Sequence, residues 1–303
     1  ETHSCAIADG EAYCWGSGSG GQLGNNGATS SRVPVAVDTS GLLNGKTVSA
    51  ISTGSNFTCA VADDRAYCWG SNFYGVLGDN STTGSTVPVA VDTNGALGGK
   101  SVSEVAAGWS HACAIAAGKA FCWGENTVGQ LGNGSGLRSL VPVAVDTSWV
   151  LAGKTLTAMS TGFDHTCVIA DSAAFCWGRG TSGQLGNRST ENSSVPVAVD
   201  SFGALSGSTI TSIAAGGQHS CAAADGKATC WGANSSGQLG DGTTAQSSVP
   251  VGVDTAGILS TRAVTEVSAG EMHTVVLTAI SPGAPTGVGG VPGNGKVTVS
   301  WVV

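Results

Sequence analysis

The chain has 303 residues, 48 of them glycine, with only 11% charged residues and a formal net charge of −8. It is too rich in glycine and too poor in charge for a helical protein, and its 41% hydrophobic content argues against disorder, so a folded, β-rich chain is predicted. The acidic balance and the lack of any basic run argue against nucleic acid as a partner, and no stretch is long and apolar enough for membrane insertion.

The first predicted element is a β-hairpin centred on Asp9-Gly10, a residue pair that suits a two-residue type I′ turn. With the turn there, Cys5 faces Cys14 in a non-hydrogen-bonded pair, where two sulfurs can be joined without moving the backbone. Five cross-strand disulfides are predicted, because the same spacing recurs every 54 residues, and with them an oxidising, extracellular compartment. The alternative is that the thiols stay reduced and serve as small packing residues. The other four pairs are Cys59 and Cys68, Cys113 and Cys122, Cys167 and Cys176, and Cys221 and Cys230.

Two further strands complete each repeat. A Val-Pro-Val-Ala-Val-Asp segment at residues 33–38 predicts a third strand with its proline at a sheet edge, and an alternating segment such as residues 102–106 predicts a fourth. Repeats of this length with four short strands are typical of a β-propeller, for which about six or seven blades are expected. The repeats are best divided as 1–52, 53–106, 107–160, 161–214 and 215–268, with a partial repeat at 269–280.

The fifth repeat carries its motifs most completely. Ala-Gly-Gly-Gln-His-Ser occupies residues 215–220, and a Trp-Gly pair at 231–232 is followed by Gly-Gln-Leu-Gly at 237–240. These motifs resemble the regulator of chromosome condensation repeat, and the resemblance extends from residue 1 to about residue 280. It implies a propeller of four-stranded blades. The cysteine pairs and the acidic balance differ from the nuclear namesake of the family, so the better analogy is to secreted bacterial members that bind other proteins, such as the β-lactamase-inhibitory propeller.

After the partial repeat, the composition changes to a Pro-Gly-Ala-Pro linker at residues 282–285. The remaining segment, with Val-Thr-Val-Ser-Trp at residues 297–301, resembles the first two strands of a bacterial fibronectin type III domain. Residues 281–303 are therefore predicted to be a linker and the start of such a domain, too short to fold alone.

Three residue types recur at fixed positions of the repeat, and each has a structural interpretation. The histidines are expected to hydrogen-bond to nearby backbone, with a metal-binding ring, interrupted by Phe57, as the alternative. The aspartates that end the third strand are expected to cap turns, with calcium ligation as the alternative, and the tryptophans to pack between blades. The histidines are His3, His111, His165, His219 and His273, the aspartates are Asp38, Asp92, Asp146, Asp200 and Asp254, and the tryptophans are Trp15, Trp69, Trp123, Trp177 and Trp231.

Catalytic motifs are not found in the sequence. The few glutamates are scattered, and neither paired carboxylates nor a nucleophile motif is present. The glycine-serine run at residues 16–20 lacks the lysine of a phosphate loop. The chain is therefore predicted not to be an enzyme and to need neither a cofactor nor a metal.

The residues that break the repeat are the candidate binding residues. Phe73, Tyr74, Trp109 and Phe163 stand where other repeats have small or polar residues. All four are expected at the end of the ring opposite the hairpin turns, where they form one exposed aromatic patch for protein or glycan contacts. The alternative is that each aromatic ring folds down against its own loop.

Trp149 and Phe202 break the pattern elsewhere and predict a second, weaker patch. Together, these features predict a non-enzymatic binding or scaffold module of a secreted or surface-displayed protein, with a protein or glycan partner. Two alternatives are a self-assembling extracellular fibre subunit, which requires self-association, and a secreted inhibitor-type propeller that binds one target protein.

Overall fold

The computed structural model describes residues 2–256 and 259–279. Within these ranges the chain consists of strands, turns and a single 3₁₀ turn at Gly203–Leu205, and it contains no helix long and apolar enough to cross a membrane. The predicted all-β fold is confirmed. The segment predicted to begin a fibronectin-like domain lies outside the described residues.

The strands form six antiparallel sheets, named blades 1 to 6 in chain order. Blade 1 contains β1 (His3–Ala8), β2 (Glu11–Gly16) and β3 (Ser31–Ala36). Blade 2 contains β4 (Val48–Thr53), β5 (Phe57–Ala62), β6 (Arg65–Gly70) and β7 (Ser85–Ala90). Blade 3 contains β8 (Val102–Ala107), β9 (His111–Ala116), β10 (Lys119–Gly124) and β11 (Ser139–Ala144).

The last three blades continue the same strand order. Blade 4 contains β12 (Leu156–Thr161), β13 (His165–Ala170), β14 (Ala173–Gly178) and β15 (Ser193–Ala198). Blade 5 contains β16 (Ile210–Ala215), β17 (His219–Ala224), β18 (Lys227–Gly232) and β19 (Ser247–Gly252). Blade 6 contains β20 (Ala263–Ala269) and β21 (Thr274–Ala279).

The cysteine hairpins have the predicted register. In the first of them Ala8 pairs with Glu11 and Cys5 with Cys14, because Asp9 and Gly10 both adopt the positive φ angles of a type I′ turn. The other four hairpins pair their cysteines in the same way.

All five predicted disulfides are confirmed, and the alternative of reduced thiols is wrong. The facing cysteines are bonded in every hairpin, with Cα atoms 4.0–4.1 Å apart, as suits a non-hydrogen-bonded pair. Among the described residues no cysteine is free. The bonds join Cys5 to Cys14, Cys59 to Cys68, Cys113 to Cys122, Cys167 to Cys176, and Cys221 to Cys230.

The blades surround a common axis. Residues of β4, β8, β12, β16 and β20, the first strands of blades 2 to 6, line one channel with a cavity of about 220 Å³. Each of blades 2 to 6 takes its first strand from the end of the preceding sequence repeat, so that blades and repeats are offset by one strand. The predicted propeller architecture follows from this arrangement, with the proline-containing strand at the outer edge of each four-stranded sheet.

Antiparallel pairing gives the ring two distinct ends. The loops between first and second strands and between third and fourth strands emerge at one end, here called the upper face. The hairpin turns and the connections to the next blade lie at the other end, the lower face. Thr47, at the end of one such connection, donates its N–H to the Asp63 carboxylate of a hairpin turn.

The core consists of layers between successive blades rather than one central cluster. The residues that surround Trp123 come from blades 2 and 3, and those that surround Trp177 come from blades 3 and 4. Trp69, Trp123, Trp177 and Trp231 are fully buried, as predicted for inter-blade packing, whereas Trp15 of blade 1 is only half-buried. Because apolar burial contributes about 25 cal/mol per Å², these layers supply most of the stabilisation of the ring.

Polar groups inside the layers are satisfied by the next blade. Between blades 3 and 4, the Gln130 carbonyl oxygen accepts hydrogen bonds from the Trp177 indole at 2.9 Å and the Thr166 hydroxyl at 3.2 Å. The same Thr166 oxygen lies 2.9 Å from Nε2 of His111. Since its proton is used toward Gln130, the hydroxyl accepts from the imidazole, and the neutral ring carries its proton on Nε2.

Candidate functional site

The histidines belong to this inter-blade packing. The prediction that they hydrogen-bond to nearby backbone was wrong. Each of four histidines instead pairs through Nε2 with a hydroxyl group 55 residues further along the chain, on the next blade. The four are His3, His111, His165 and His219. Burial lowers the pKa of His111 to about 3, so the ring is neutral. Among the described residues, no group of three or more His, Cys, Asp or Glu side chains is placed to hold a metal ion.

The recurring aspartates cap turns, as predicted. The carboxylate of each accepts a hydrogen bond from the backbone N–H two residues further along the chain, at 2.6–3.0 Å, which is the geometry of an Asx turn. The Ser40 hydroxyl and N–H hold the pKa of Asp38 below its ordinary value, and Ser148 does the same for Asp146. Histidines and aspartates therefore have structural roles, which leaves the aromatic residues as candidates for function.

The four candidate aromatic residues lie on the upper face. Trp109 and Phe163 occupy the loops that precede β9 and β13, and Phe73 and Tyr74 occupy the loop that follows β6. The ring centroids of Trp109 and Phe163 are 4.5 Å apart, and those of Phe73 and Tyr74 are 5.0 Å apart in an edge-to-face arrangement. Phe73 is 71% exposed and Trp109 is 48% exposed, so these two rings are not folded down against their own loops, whereas Phe163 is half-buried against Trp109.

Three of the rings share one depression. Tyr74 of blade 2, Trp109 of blade 3 and Phe163 of blade 4 line a cleft of about 340 Å³, here called the aromatic cleft. Glu125 and Asp164 line it as well. Phe73 adjoins the aromatic cleft through its contact with Tyr74. The structure therefore brings the predicted aromatic residues together across three neighbouring blades.

Backbone hydrogen bonds hold the loops of the aromatic cleft in place. The Trp109 N–H donates to the Gly162 carbonyl of the next blade at 3.3 Å, and the Glu125 N–H donates to the Ser110 carbonyl at 2.9 Å. Gly108 is required beside Trp109, since a Cβ atom there would lie 2.6 Å from the Gly162 oxygen and 2.9 Å from the His111 ring. These contacts make the walls of the cleft a preformed part of the ring.

Two carboxylates line the aromatic cleft, and that of Glu125 is not neutralised by a cationic partner among the described residues. Oε1 of Glu125 accepts hydrogen bonds from the backbone N–H groups of Asn126 at 3.0 Å and Thr127 at 3.1 Å, which fixes the side chain. The Asp164 carboxylate is paired with Nε of Arg179 at 3.0 Å. Glu125 forms no ion pair with any basic side chain among the described residues.

Sequence reasoning missed both carboxylates, although each of them breaks the repeat. The residues equivalent to Glu125 in the other repeats are Ser17, Ser71, Arg179 and Ala233, and those equivalent to Asp164 are Asn56, Ser110, Gln218 and Met272. The signal was the same as for the aromatic residues. Glu125 is one of a few glutamates scattered along the chain, and this distribution alone does not indicate a site.

The ring has a second depression and two further exposed aromatic residues outside the aromatic cleft. Trp109 and Phe163 also border a wider depression of about 590 Å³ at the mouth of the axial channel. Trp149 and Phe202, predicted to form a second patch, are 78% and 70% exposed on the connections that lead to blades 4 and 5. The guanidinium carbon of Arg188 lies 5.4 Å from the Phe202 ring centroid.

Comparison with known proteins agrees with this architecture. A sequence model of the RCC1-like domain matches residues 1–276. The ultraviolet-B receptor UVR8 of Arabidopsis thaliana is 29% identical over 283 residues, which cover 91% of this chain and 61% of the receptor. The chain thus spans about three-fifths of the length of that relative.

Solved structures share the fold. Human WBSCR16 matches with a TM-score of 0.78 and 23% identity, covering 92% of this chain and 70% of that one. The structure of Kap60 bound to yeast RCC1 (Prp20) matches with a TM-score of 0.74 and 19% identity, covering 91% of this chain and 66% of that one. With its repeated blades and a family match over residues 1–276, the chain belongs to the RCC1-like domain family.

Proposed function

We propose that this propeller is a non-enzymatic binding module of a secreted or surface-displayed protein and that it binds its partner through the aromatic cleft and Phe73. The observation that carries the proposal is the clustering of exposed and half-buried aromatic rings at positions where other blades have small or polar residues. Exposed aromatic clusters mark contact sites, and tryptophan and tyrosine dominate the binding energy of many interfaces. A fold relative, yeast RCC1, was solved with the protein Kap60 bound to it, so at least one protein with this fold takes part in a protein complex.

A binding experiment with matched variants tests the proposal. The purified chain is screened against arrays of secreted proteins and of glycans, and each interaction is measured again for Trp109→Ala and Trp149→Ala. Truncating a central interface tryptophan costs about 2 kcal/mol or more, so we expect Trp109→Ala to weaken binding roughly thirtyfold. Trp149→Ala is the control, because Trp149 is even more exposed and lies outside the cleft. Binding that depends on Trp149 and not on Trp109 contradicts the proposal.

The extracellular setting is supported by the disulfides. Five bridges in one chain are typical of proteins from oxidising compartments, because cytosolic thiols are kept reduced. We expect the protein isolated from its native cells under acid quench to take up no thiol-alkylating reagent. Ten alkylated cysteines, measured by intact-mass spectrometry, would contradict a secreted or surface location.

The fibre-subunit and inhibitor-type hypotheses differ from this proposal in their partners. A fibre subunit associates with copies of itself, whereas an inhibitor-type propeller forms a complex with one target. Size-exclusion chromatography at increasing protein concentration separates them, since self-association shifts the elution volume with concentration. We expect the elution volume to stay constant for the binding module.

A further inference from the structure

We propose that the aromatic cleft binds the guanidinium group of an arginine side chain presented by a protein partner. The inference rests on the proposed function and names the chemistry of the partner at that same surface. It is carried by three aromatic rings and two carboxylates that line one cleft.

The rings supply the faces that a guanidinium prefers. A cation within about 6 Å of an aromatic ring centroid is attracted by the negative face of the π system, and tryptophan is the strongest such partner. Trp109 and Phe163 are inclined at 59° to each other, and Tyr74 faces the same cleft. A planar group that enters the cleft can therefore lie against aromatic surface formed by residues of three blades.

The carboxylates supply the charge. One oxygen of Glu125 is occupied by two backbone N–H groups, and Oε2 is available to accept a hydrogen bond from a ligand. The side chain is half-buried, so an incoming cation interacts with it more strongly than with a fully exposed carboxylate. Guanidinium groups form charge-assisted, often bidentate hydrogen bonds with carboxylates, and these are stronger than bonds between neutral groups.

The other repeats provide an internal control. Blades 2, 4 and 5 have the same strand order with serine, arginine or alanine at the position of Glu125 and with serine, phenylalanine or glycine at the position of Trp109. Folding therefore does not require these side chains in blade 3. Their coincidence in one cleft, together with Tyr74 and Phe163 from the neighbouring blades, is explained by a ligand.

The protein itself shows how its carboxylates and rings pair with arginine. Arg179 binds the Asp164 carboxylate at the border of the cleft, and Arg188 lies against the Phe202 ring. A neutral glycan would also stack on the rings, but it gains less from an unpaired carboxylate than a cation does. The charge at Glu125 therefore favours arginine, which combines a planar stacking surface with a fixed positive charge.

The test uses the full-length chain and two matched peptides. The first is the acetylated, amidated pentapeptide Gly-Ser-Arg-Ser-Gly, and the second has citrulline, which is neutral and nearly isosteric, in place of arginine. Binding is followed by the NMR signal of the Trp109 indole N–H, assigned from its loss in Trp109→Phe. Chitotetraose is titrated in parallel as the glycan probe.

We expect the arginine peptide to shift this signal and to bind at least tenfold more tightly than the citrulline peptide. Glu125→Gln should weaken arginine binding about tenfold, whereas Glu191→Gln, which removes an exposed charge outside the cleft, should leave it unchanged. Arg179→Ala should tighten binding severalfold, because it frees the Asp164 carboxylate for the ligand. Unchanged or weaker binding in Arg179→Ala would contradict the inference.

Failure of this inference differs from failure of the proposed function. Equal binding of the arginine and citrulline peptides, no binding of either, or binding of chitotetraose alone overturns the arginine site. If partners found on the arrays are lost in Trp109→Ala but retained in Glu125→Gln, the arginine site is wrong and the binding surface stands. If no array partner depends on Trp109, the proposed function itself is wrong.

Discussion

The interface between blades 2 and 3 and the interface between blades 3 and 4 have the same backbone arrangement, but they bury different side chains. The second interface contains His111, Gln130 and Thr166, joined by hydrogen bonds around the indole of Trp177. The equivalent residues of the first interface are Phe57, Val76 and Ala112, all of them buried and apolar. The interface between blades 2 and 3 therefore has an apolar residue at each of the three positions that are polar in the interface between blades 3 and 4.

This difference shows what the repeated polar residues require. A buried imidazole needs a hydroxyl on the next blade, and that hydroxyl needs the carbonyl oxygen of the preceding loop, because an unpartnered buried polar group costs about 1–3 kcal/mol. Removing the histidine therefore allows the removal of the hydroxyl 55 residues later, as in the pair Phe57 and Ala112. What both interfaces keep is the tryptophan, whose N–H donates to the backbone carbonyl of Val76 or Gln130.

The largest expected effect comes from placing one polar residue in the apolar interface. Phe57→His buries an imidazole whose Nε2 faces Ala112, where there is no acceptor, and it also removes apolar contacts. We expect the free energy of unfolding, measured by urea denaturation at pH 8, to fall by roughly 3–4 kcal/mol.

A second substitution distinguishes the missing acceptor from a simple packing defect. Ala112→Thr restores the hydroxyl that the other interfaces use, with the Val76 carbonyl available to accept its proton. In the double variant we therefore expect recovery of roughly 1–2 kcal/mol. If the two substitutions are merely additive, the proposed dependence of histidine on its hydroxyl partner is contradicted.

Sequence reasoning succeeded where the interactions are local. The two-residue turn fixes the register of each hairpin, so the facing of Cys5 and Cys14 followed from counting residues around Asp9-Gly10. The Asx turns at the aspartates are equally local, since carboxylate and N–H are two residues apart. The family resemblance then supplied the propeller, which local patterns alone indicate only through the length of the repeat.

Interactions between blades could not be predicted from local sequence patterns. The partner of His111 is 55 residues away, and its position depends on how one twisted sheet packs against the next. The aromatic residues of the cleft were found because they break the repeat. Glu125 and Asp164 also break the repeat, but only the packing of blade 3 against blade 4 shows that both carboxylates line the same cleft as the aromatic rings.

The next-largest expected effect is a difference between the polar and the apolar interface in how the free energy of unfolding depends on pH. Burial holds the pKa of folded His111 at about 3, below the ordinary value of 6.5, so the unfolded chain binds an additional proton between these pH values. This contribution to stability is fully present above pH 6.5 and is lost as the pH falls toward 3. When the pH falls from 6.5 to 4.5, each such histidine lowers the free energy of unfolding by about 2–3 kcal/mol.

The variant His111→Phe with Thr166→Ala removes this contribution by copying the apolar interface. We expect the loss of unfolding free energy between pH 6.5 and 4.5 to be about 2–3 kcal/mol smaller than in the original chain. Phe57→Tyr, which keeps an aromatic ring and adds no group that titrates in this range, serves as the control, and its pH dependence should not change. An unaltered pH profile in the double variant would show that folding does not lower the pKa of His111.

The smallest expected effect concerns the tryptophan that both interfaces share. Among the described residues, the carbonyl oxygen of Val76 accepts a side-chain hydrogen bond only from Trp123, whereas that of Gln130 accepts from both Trp177 and Thr166. Trp123→Phe therefore leaves a buried carbonyl without this partner, but Trp177→Phe leaves one that Thr166 still satisfies. Since both substitutions remove the same ring volume from fully buried sites, their difference isolates the hydrogen bond. We expect Trp123→Phe to be more destabilising than Trp177→Phe by about 1–2 kcal/mol in urea denaturation, and equal losses would mean that the second donor contributes nothing.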